Sequence, residues 1–177
     1  LPLSSVRLEA PLVATPNFLA IGLNYAAHVV ESGMEKPKMP VVFNKQNTCV
    51  TGPFDPVDVP TVAPTLVDYE GELGFIVGKR CRHVPRERAM EVIAGFCVCN
   101  DVSVRDWQMH YPTWTMGKGF DTHGPIGPYL VTRDEVPDPH ALDLRLWVND
   151  VEKQHSSTDD LIFNIPQIIE YVSSMAT

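Results

Sequence analysis

Two glutamates one residue apart, in Asp68-Tyr69-Glu70-Gly71-Glu72-Leu73, are the first residues whose spacing could do chemistry. On an extended strand, positions i and i+2 face the same way, with about 7 Å between their Cα atoms. Glu70 and Glu72 therefore project as two like charges from an otherwise apolar run. A solvated outer face would account for them. The next positions on that face are Gly74 and Ile76, however, so the polar face does not continue. The other reading is a carboxylate pair held to share a proton or to bind a divalent metal.

A third carboxylate follows in Cys99-Asn100-Asp101-Val102-Ser103-Val104-Arg105-Asp106-Trp107-Gln108. Asp101 ends an apolar strand, where it could ligate or catalyse, or simply cap the turn that follows. Arg105 and Gln108 share a face if the segment turns helically, offering a fork of donors to a carboxylate. Lys118 lies between glycines in Gly117-Lys118-Gly119-Phe120-Asp121. No phosphate-binding loop is present there: Thr113 stands where that motif needs Gly, and no Ser or Thr follows the lysine. A lysine in such a loop is ordinarily exposed and inert. His28 and Glu31, at i and i+3, are either an exposed ion pair of little worth or a base with its orienting carboxylate. Dinucleotide, zinc-protease, nucleophile-elbow, EF-hand and CxxC motifs are absent from the sequence.

The elements that must position these groups are short and punctuated by 16 prolines, a pattern of many strands joined by turns. Residues 18–22 read as a strand. Asn24 is expected to cap a helix over 25–32 that Gly33 ends, and 34–40 reads as a loop. Strands are predicted over 41–44, 69–77, 95–101, 129–132 and 142–148. Pro85 opens a helix carrying Ala89, Met90, Val92 and Ile93, residues 109–128 form a long loop or a series of turns, and a last helix starts near Pro166. The pattern is a strand-dominated α+β domain without regular βαβ alternation.

Composition bounds the function. The chain has 177 residues, one domain's worth, with 44% apolar and 20% charged residues, an ordinary globular balance. A net charge of −8 argues against nucleic-acid partners and anionic membranes, and no apolar run is long enough for a membrane helix. An acidic substrate is still admissible if a metal or a few cations reverse the field locally. Cys97 and Cys99 are expected to share one strand face as buried thiols, and the cysteine pattern suits a reducing, cytoplasmic setting. The opening Leu1-Pro2-Leu3 lacks both a signal peptide and an initiator Met, so the chain is expected to start inside a longer polypeptide.

Taken in order, Gly22-Leu23-Asn24-Tyr25 with His28 and Glu31, then Glu70-Gly71-Glu72-Leu73, Asn100-Asp101 through Gln108, Gly117-Lys118-Gly119-Phe120-Asp121 and Gly124-Pro125-Ile126-Gly127-Pro128 resemble the fumarylacetoacetate hydrolase family. The likeness runs from about Phe18 to Thr177, leaving residues 1–17 as a lead-in to a domain over 18–177. It implies a mixed β-sandwich or β-roll catalytic domain with short peripheral helices, acting as a homodimer. It also implies Mg²⁺ or Mn²⁺ held by Glu70, Glu72 and Asp101, with Lys118 in the site and Arg105 and Gln108 ordering substrate. His28 and Glu31 would lie on a lid and activate water.

The reaction so implied is hydrolysis of a C–C bond in an acylpyruvate- or fumarylacetoacetate-like diketo acid. An oxaloacetate-type decarboxylase or a 2-hydroxymuconate-type isomerase would use the same metal site, and a non-catalytic fragment keeping the fold is a further alternative. Gly119 replaces a common Ser, and Asp150 a usual turn Gly. The family's Thr-Leu-x-Pro-Gly-Asp stretch and the loop that closes the site would begin where this chain stops, at Thr177.

Overall fold

The computed structural model describes residues 2–12 and 14–177; Leu1 and Val13, both in the expected lead-in, lie outside the described residues. The chain forms two units, residues 1–20, 43–74 and 97–130 in the first and 21–42, 75–96 and 131–177 in the second. Strand-dominated α+β architecture with mixed sheets is what the sequence pattern called for.

In the first unit the apolar runs build a sheet. Strands β1 (Phe18–Gly22) and β2 (Val41–Lys45) pair with each other, each contributing one end to this unit. A four-stranded sheet runs in the order β3 (Val50–Thr51), β8 (Gly124–Thr132), β6 (Ile93–Asn100), β5 (Gly71–Val77), with residues 50–51, 71–74, 97–100 and 124–130 in this unit. β3 and β8 are parallel. β5 and β6 run antiparallel, since Asp101 N–H reaches Glu70 O at one end while Gly78 N–H reaches Val92 O at the other. A small antiparallel pair, β4 (Val67–Asp68) with β7 (Ser103–Val104), lies just before the helical turns α2 (Arg105–Gln108) and α3 (Thr115–Lys118). The expected strand over 69–77 is β5, which starts two residues later, with Tyr69 and Glu70 linking it to β4, and part of the expected long loop is helix α3 and the start of β8.

The second unit holds α1 (Ala26–Ser32), the hairpin β9 (Asp143–Val148) and β10 (Val151–Ser157), and α4 (Ile165–Met175). α4 starts one residue earlier than the proline signal suggested because Asn164 and Gln167 form a reciprocal capping box. Asn24 does not cap α1: its amide instead brackets the backbone of Phe163, donating to its carbonyl at 3.0 Å and accepting from its N–H at 2.9 Å. The β9–β10 turn puts Asn149 and Asp150 at positive φ, a two-residue hairpin turn of the primed kind that polar short side chains tolerate. The expected helix after Pro85 is 3-10, Arg86–Val92, and Ile93 already belongs to β6. Ala89 and Val92 are its buried residues. Among the described residues no helix is long and apolar enough to cross a membrane.

Asp55 pins the lead-in onto the first unit. Its carboxylate accepts from Thr51 Oγ1 at 2.7 Å and Gly52 N–H at 2.8 Å, and it pairs with Arg7. These donors, Thr51 foremost, hold its pKa down to about 2. A carboxyl depressed on folding stabilises above its unfolded pKa and loses that contribution as pH falls through its folded value. Asp55→Asn should therefore lower the Tm at pH 7, with the gap to the parent closing as pH drops towards 2. Thermal scans across that range check it; a pH-independent gap would contradict the ionic origin.

Candidate active site

A lysine stands where the strand pattern would put a core residue. On β2, Phe43 and Lys45 share a face, and both are buried; Lys45 is only 1% exposed. Burying an ammonium is expensive unless it is paired and hydrogen-bonded. Lys45 Nζ is: it donates to Asp101 Oδ1 at 2.6 Å, to Val102 O at 3.3 Å and to Lys118 O. The last two bonds staple the ends of β6 and α3 to β2.

Asp101 is shared. Its second oxygen, Oδ2, accepts from Lys118 Nζ at 2.8 Å, and the same ammonium donates to Glu70 Oε2 at 2.6 Å. Lys118 is 2% exposed, so the plain reading of an exposed loop lysine is wrong. Burial pushes the Asp101 carboxyl up, but Lys45 and Lys118 outweigh it and hold it below the ordinary carboxylate range. Asp101 does not cap α2, whose N-cap Val104 carries no side-chain bond. Phe43 faces the Lys118 ammonium at 5.3 Å and meets Trp114 edge-on at 5.7 Å, closing the apolar side of the cluster.

Arg105 completes the ring on the other side. Its guanidinium pairs with Asp68 Oδ2 at 2.8 Å and Glu70 Oε1 at 2.6 Å, and donates to Gln108 Oε1 at 3.0 Å, so Arg105 and Gln108 do share a face. The β4–β7 pairing sets Asp68 opposite Ser103 and so delivers it to Arg105. Gly117 lets α3 sit against α2: a Cβ there would lie 2.3 Å from the Gln108 backbone nitrogen.

Glu72 differs from its neighbours. It is half-buried and makes no ion pair among the described residues. Burial, then repulsion from Glu70 and Asp101, partly offset by Lys118, push its pKa up to about 8. The donor chemistry is all-oxygen and under-neutralised, which suits a hard divalent cation. Among the described residues, no three His, Cys, Asp or Glu side chains stand grouped as a ready-made cation cage. The cation between Glu70 and Asp101 is the Lys118 ammonium.

The expected site residues thus fall into two sets. Glu70, Glu72, Asp101, Arg105, Gln108 and Lys118 all belong to the first unit and form one cluster. His28 and Glu31 belong to the second unit, exposed on α1, with His28 Nδ1 and Glu31 Oε2 3.9 Å apart, too far for a hydrogen bond. Sequence reasoning missed Lys45 and Asp68. The signal for Lys45 was its inward parity with Phe43 on an apolar strand.

Residues 17–177 fit the fumarylacetoacetate (FAA) hydrolase C-terminal family. The chain belongs to it. A Burkholderia multivorans relative described as a hydrolase is 48% identical over 172 residues, covering 97% of this chain and 61% of its own length. The chain therefore spans about three fifths of that relative. Among solved structures, 5-carboxymethyl-2-hydroxymuconate delta-isomerase from Mycobacterium smegmatis matches with TM-score 0.88 and 41% identity, over 99% of this chain and 68% of that one. Maleylpyruvate hydrolase from Sphingobium sp. SYK-6, in complex with manganese(II) and pyruvate, matches with TM-score 0.84 and 36% identity, over 99% and 61%.

Lys45→Met removes one partner of a buried pair and leaves Asp101 and the Lys118 carbonyl short of a donor. The expected cost is about 3–5 kcal/mol in urea unfolding. Adding Asp101→Asn should recover part of it, because the uncompensated charge is then gone. A single-variant loss below about 1 kcal/mol, the worth of a surface pair, would contradict the arrangement.

Proposed function

We propose that this chain carries the metal site of an enzyme acting on a small 2-oxo acid, and that the reaction is hydrolysis of a C–C bond in an acylpyruvate- or fumarylacetoacetate-like diketo acid. The observation that carries the reading is the half-buried Glu72, without an ion pair, beside carboxylates that already share a buried ammonium. Glu70, Glu72 and Asp101 would hold Mg²⁺ or Mn²⁺. When bound, the ion polarises the oxo-acid oxygens and offsets negative charge developing on them. The manganese and pyruvate of the Sphingobium relative support this choice.

The chain's own groups do the rest. Lys118, buried and charged, suits an oxyanion forming on the attacked carbonyl. Arg105, fixed by Asp68 and Glu70, holds Gln108 so that the pair can orient substrate. His28 takes the proton from water and Glu31 orients it, a role that needs the pair to close beyond its present 3.9 Å. Local cations and the metal would let an acidic chain take an acidic substrate. The working unit in this reading is residues 18–177, with 1–17 as lead-in, in a cytoplasmic homodimer without nucleic-acid or membrane partners.

A second reading, isomerisation of a 2-hydroxymuconate-type acid, is favoured by one observation: the isomerase structure is 41% identical, against 36% for the hydrolase. Incubation with Mg²⁺ or Mn²⁺ and a panel of oxo acids, followed by NMR, separates the two. Two cleaved acids are expected, with His28→Ala and Lys118→Met each lowering kcat/KM by about 10²–10⁴-fold. A shifted double bond would install the second reading, carbon dioxide release would make the enzyme a decarboxylase, and unchanged cleavage by His28→Ala would remove the dyad.

A further inference from the structure

The face of β5 and β6 that carries the carboxylates continues into a pair of thiols. Along β6, Cys97, Cys99 and then Asp101 alternate onto one side; along β5, Gly74 and Glu72 run opposite them, with Glu70 next. Cys97 and Cys99 are both buried, and their sulfurs are 3.9 Å apart. Both sit over Gly74, whose missing side chain makes the room: a Cβ there would lie 2.3 Å from Cys99 Sγ and 3.4 Å from Cys97 Sγ. Val98 between them points the other way, 61% exposed.

We propose that Cys97 and Cys99 form an oxidisable dithiol site, converted by hydrogen peroxide into an intrastrand disulfide. The Cys97 sulfur attacks a peroxide oxygen, the O–O bond breaks and hydroxide leaves, giving a sulfenic acid. Cys99 sulfur then attacks that sulfur, the S–S bond forms and a second hydroxide leaves. The two thiol protons turn both hydroxides into water. The thiol pair loses two electrons, and the peroxide gains them.

Strand geometry sets the cost. Residues i and i+2 on a strand are about 7 Å apart at Cα, just beyond the roughly 6.8 Å that a disulfide accepts. β6 must shorten around Val98, inside a sheet where it has neighbours on both sides. Such a bond is strained and readily reduced again. The strain is delivered to Cys99 and hence to Asp101 two residues on, and across the strand to the Gly74–Glu72 segment. Closing the bridge should therefore loosen divalent-cation binding, a consequence that rests on the metal reading proposed above.

The test uses the reduced chain, treated with hydrogen peroxide, with intact mass and Mn²⁺ binding by EPR as two readouts. The expected result is a loss of about 2 Da, reversed by dithiothreitol and absent from Cys97→Ser and Cys99→Ser, with peptide mapping joining Cys97 to Cys99. Mn²⁺ affinity should fall about tenfold on oxidation, and not in either serine variant. A bridge to Cys49 or Cys81, or oxygen addition in place of the 2 Da loss, would overturn the site. A Cys97–Cys99 bridge with unchanged Mn²⁺ affinity would overturn its coupling to the carboxylates. Reduced protein that binds no Mn²⁺ would fail the metal reading, while the mass still decides the dithiol.

Discussion

A lysine ammonium with essentially no exposure to water governs the arrangement of the first unit. Lys45 has no solvent to fall back on, so Asp101 must remain ionised and in place, and the carbonyls of Val102 and Lys118 must face it. Those demands fix the end of β6 and the turn of α3 relative to β2. Asp101 in turn positions the Lys118 ammonium, and Lys118 positions Glu70. Arg105 then takes the remaining oxygen of Glu70 and ties it to Asp68. Lys45, Asp101 and Lys118 are all buried, so removing any of the three leaves a buried partner short of counter-charge.

The cluster's charges are more nearly balanced than those of the whole molecule. The chain carries a net charge of −8, yet Lys45, Lys118 and Arg105 are concentrated among four carboxylates, Asp68, Glu70, Glu72 and Asp101. The carboxylates outnumber the cations by one, and Glu72, which has no ion pair among the described residues, has its pKa pushed up to about 8 by burial and by Glu70 and Asp101. A dication would reverse the sign of the cluster and give an anionic oxo acid a reason to approach. The same sheet face supplies the neighbouring thiols, so chemistry at Cys97 and Cys99 has a short path to the carboxylates.

Much of this was legible in residue types and spacing. β1 follows its apolar run to the residue, β5 and β6 were marked by their patterns, and α4 by Pro166. Glu70, Glu72 and Asp101 were legible because charged groups interrupted apolar segments, and Arg105 and Gln108 by their i, i+3 spacing, whereas Lys118 was placed in the site only by the family resemblance. Lys45 was not, because a lysine at a strand end ordinarily reaches water. β10 was missed because Glu152, Lys153, Gln154 and His155 give a polar run with no apolar alternation; its register comes from β9 and the Asn149-Asp150 turn. Asn24 looked like a helix cap because the competing use of its amide, the Phe163 backbone, is 139 residues away. The 3-10 character of Arg86–Val92 likewise follows no local signal, since helix periodicity fits both forms.

In the function proposed above, Glu70, Glu72 and Asp101 together accept a divalent ion in a place now bridged by Lys118. A crystal grown with Mn²⁺ and pyruvate or oxalate, with the metal located by anomalous scattering, tests it most directly. One ion is expected, with an oxygen of each carboxylate at about 2.0–2.3 Å and the Lys118 ammonium withdrawn from between Glu70 and Asp101. An ion bound elsewhere, or Lys118 still bridging the two carboxylates at saturating Mn²⁺, would contradict it.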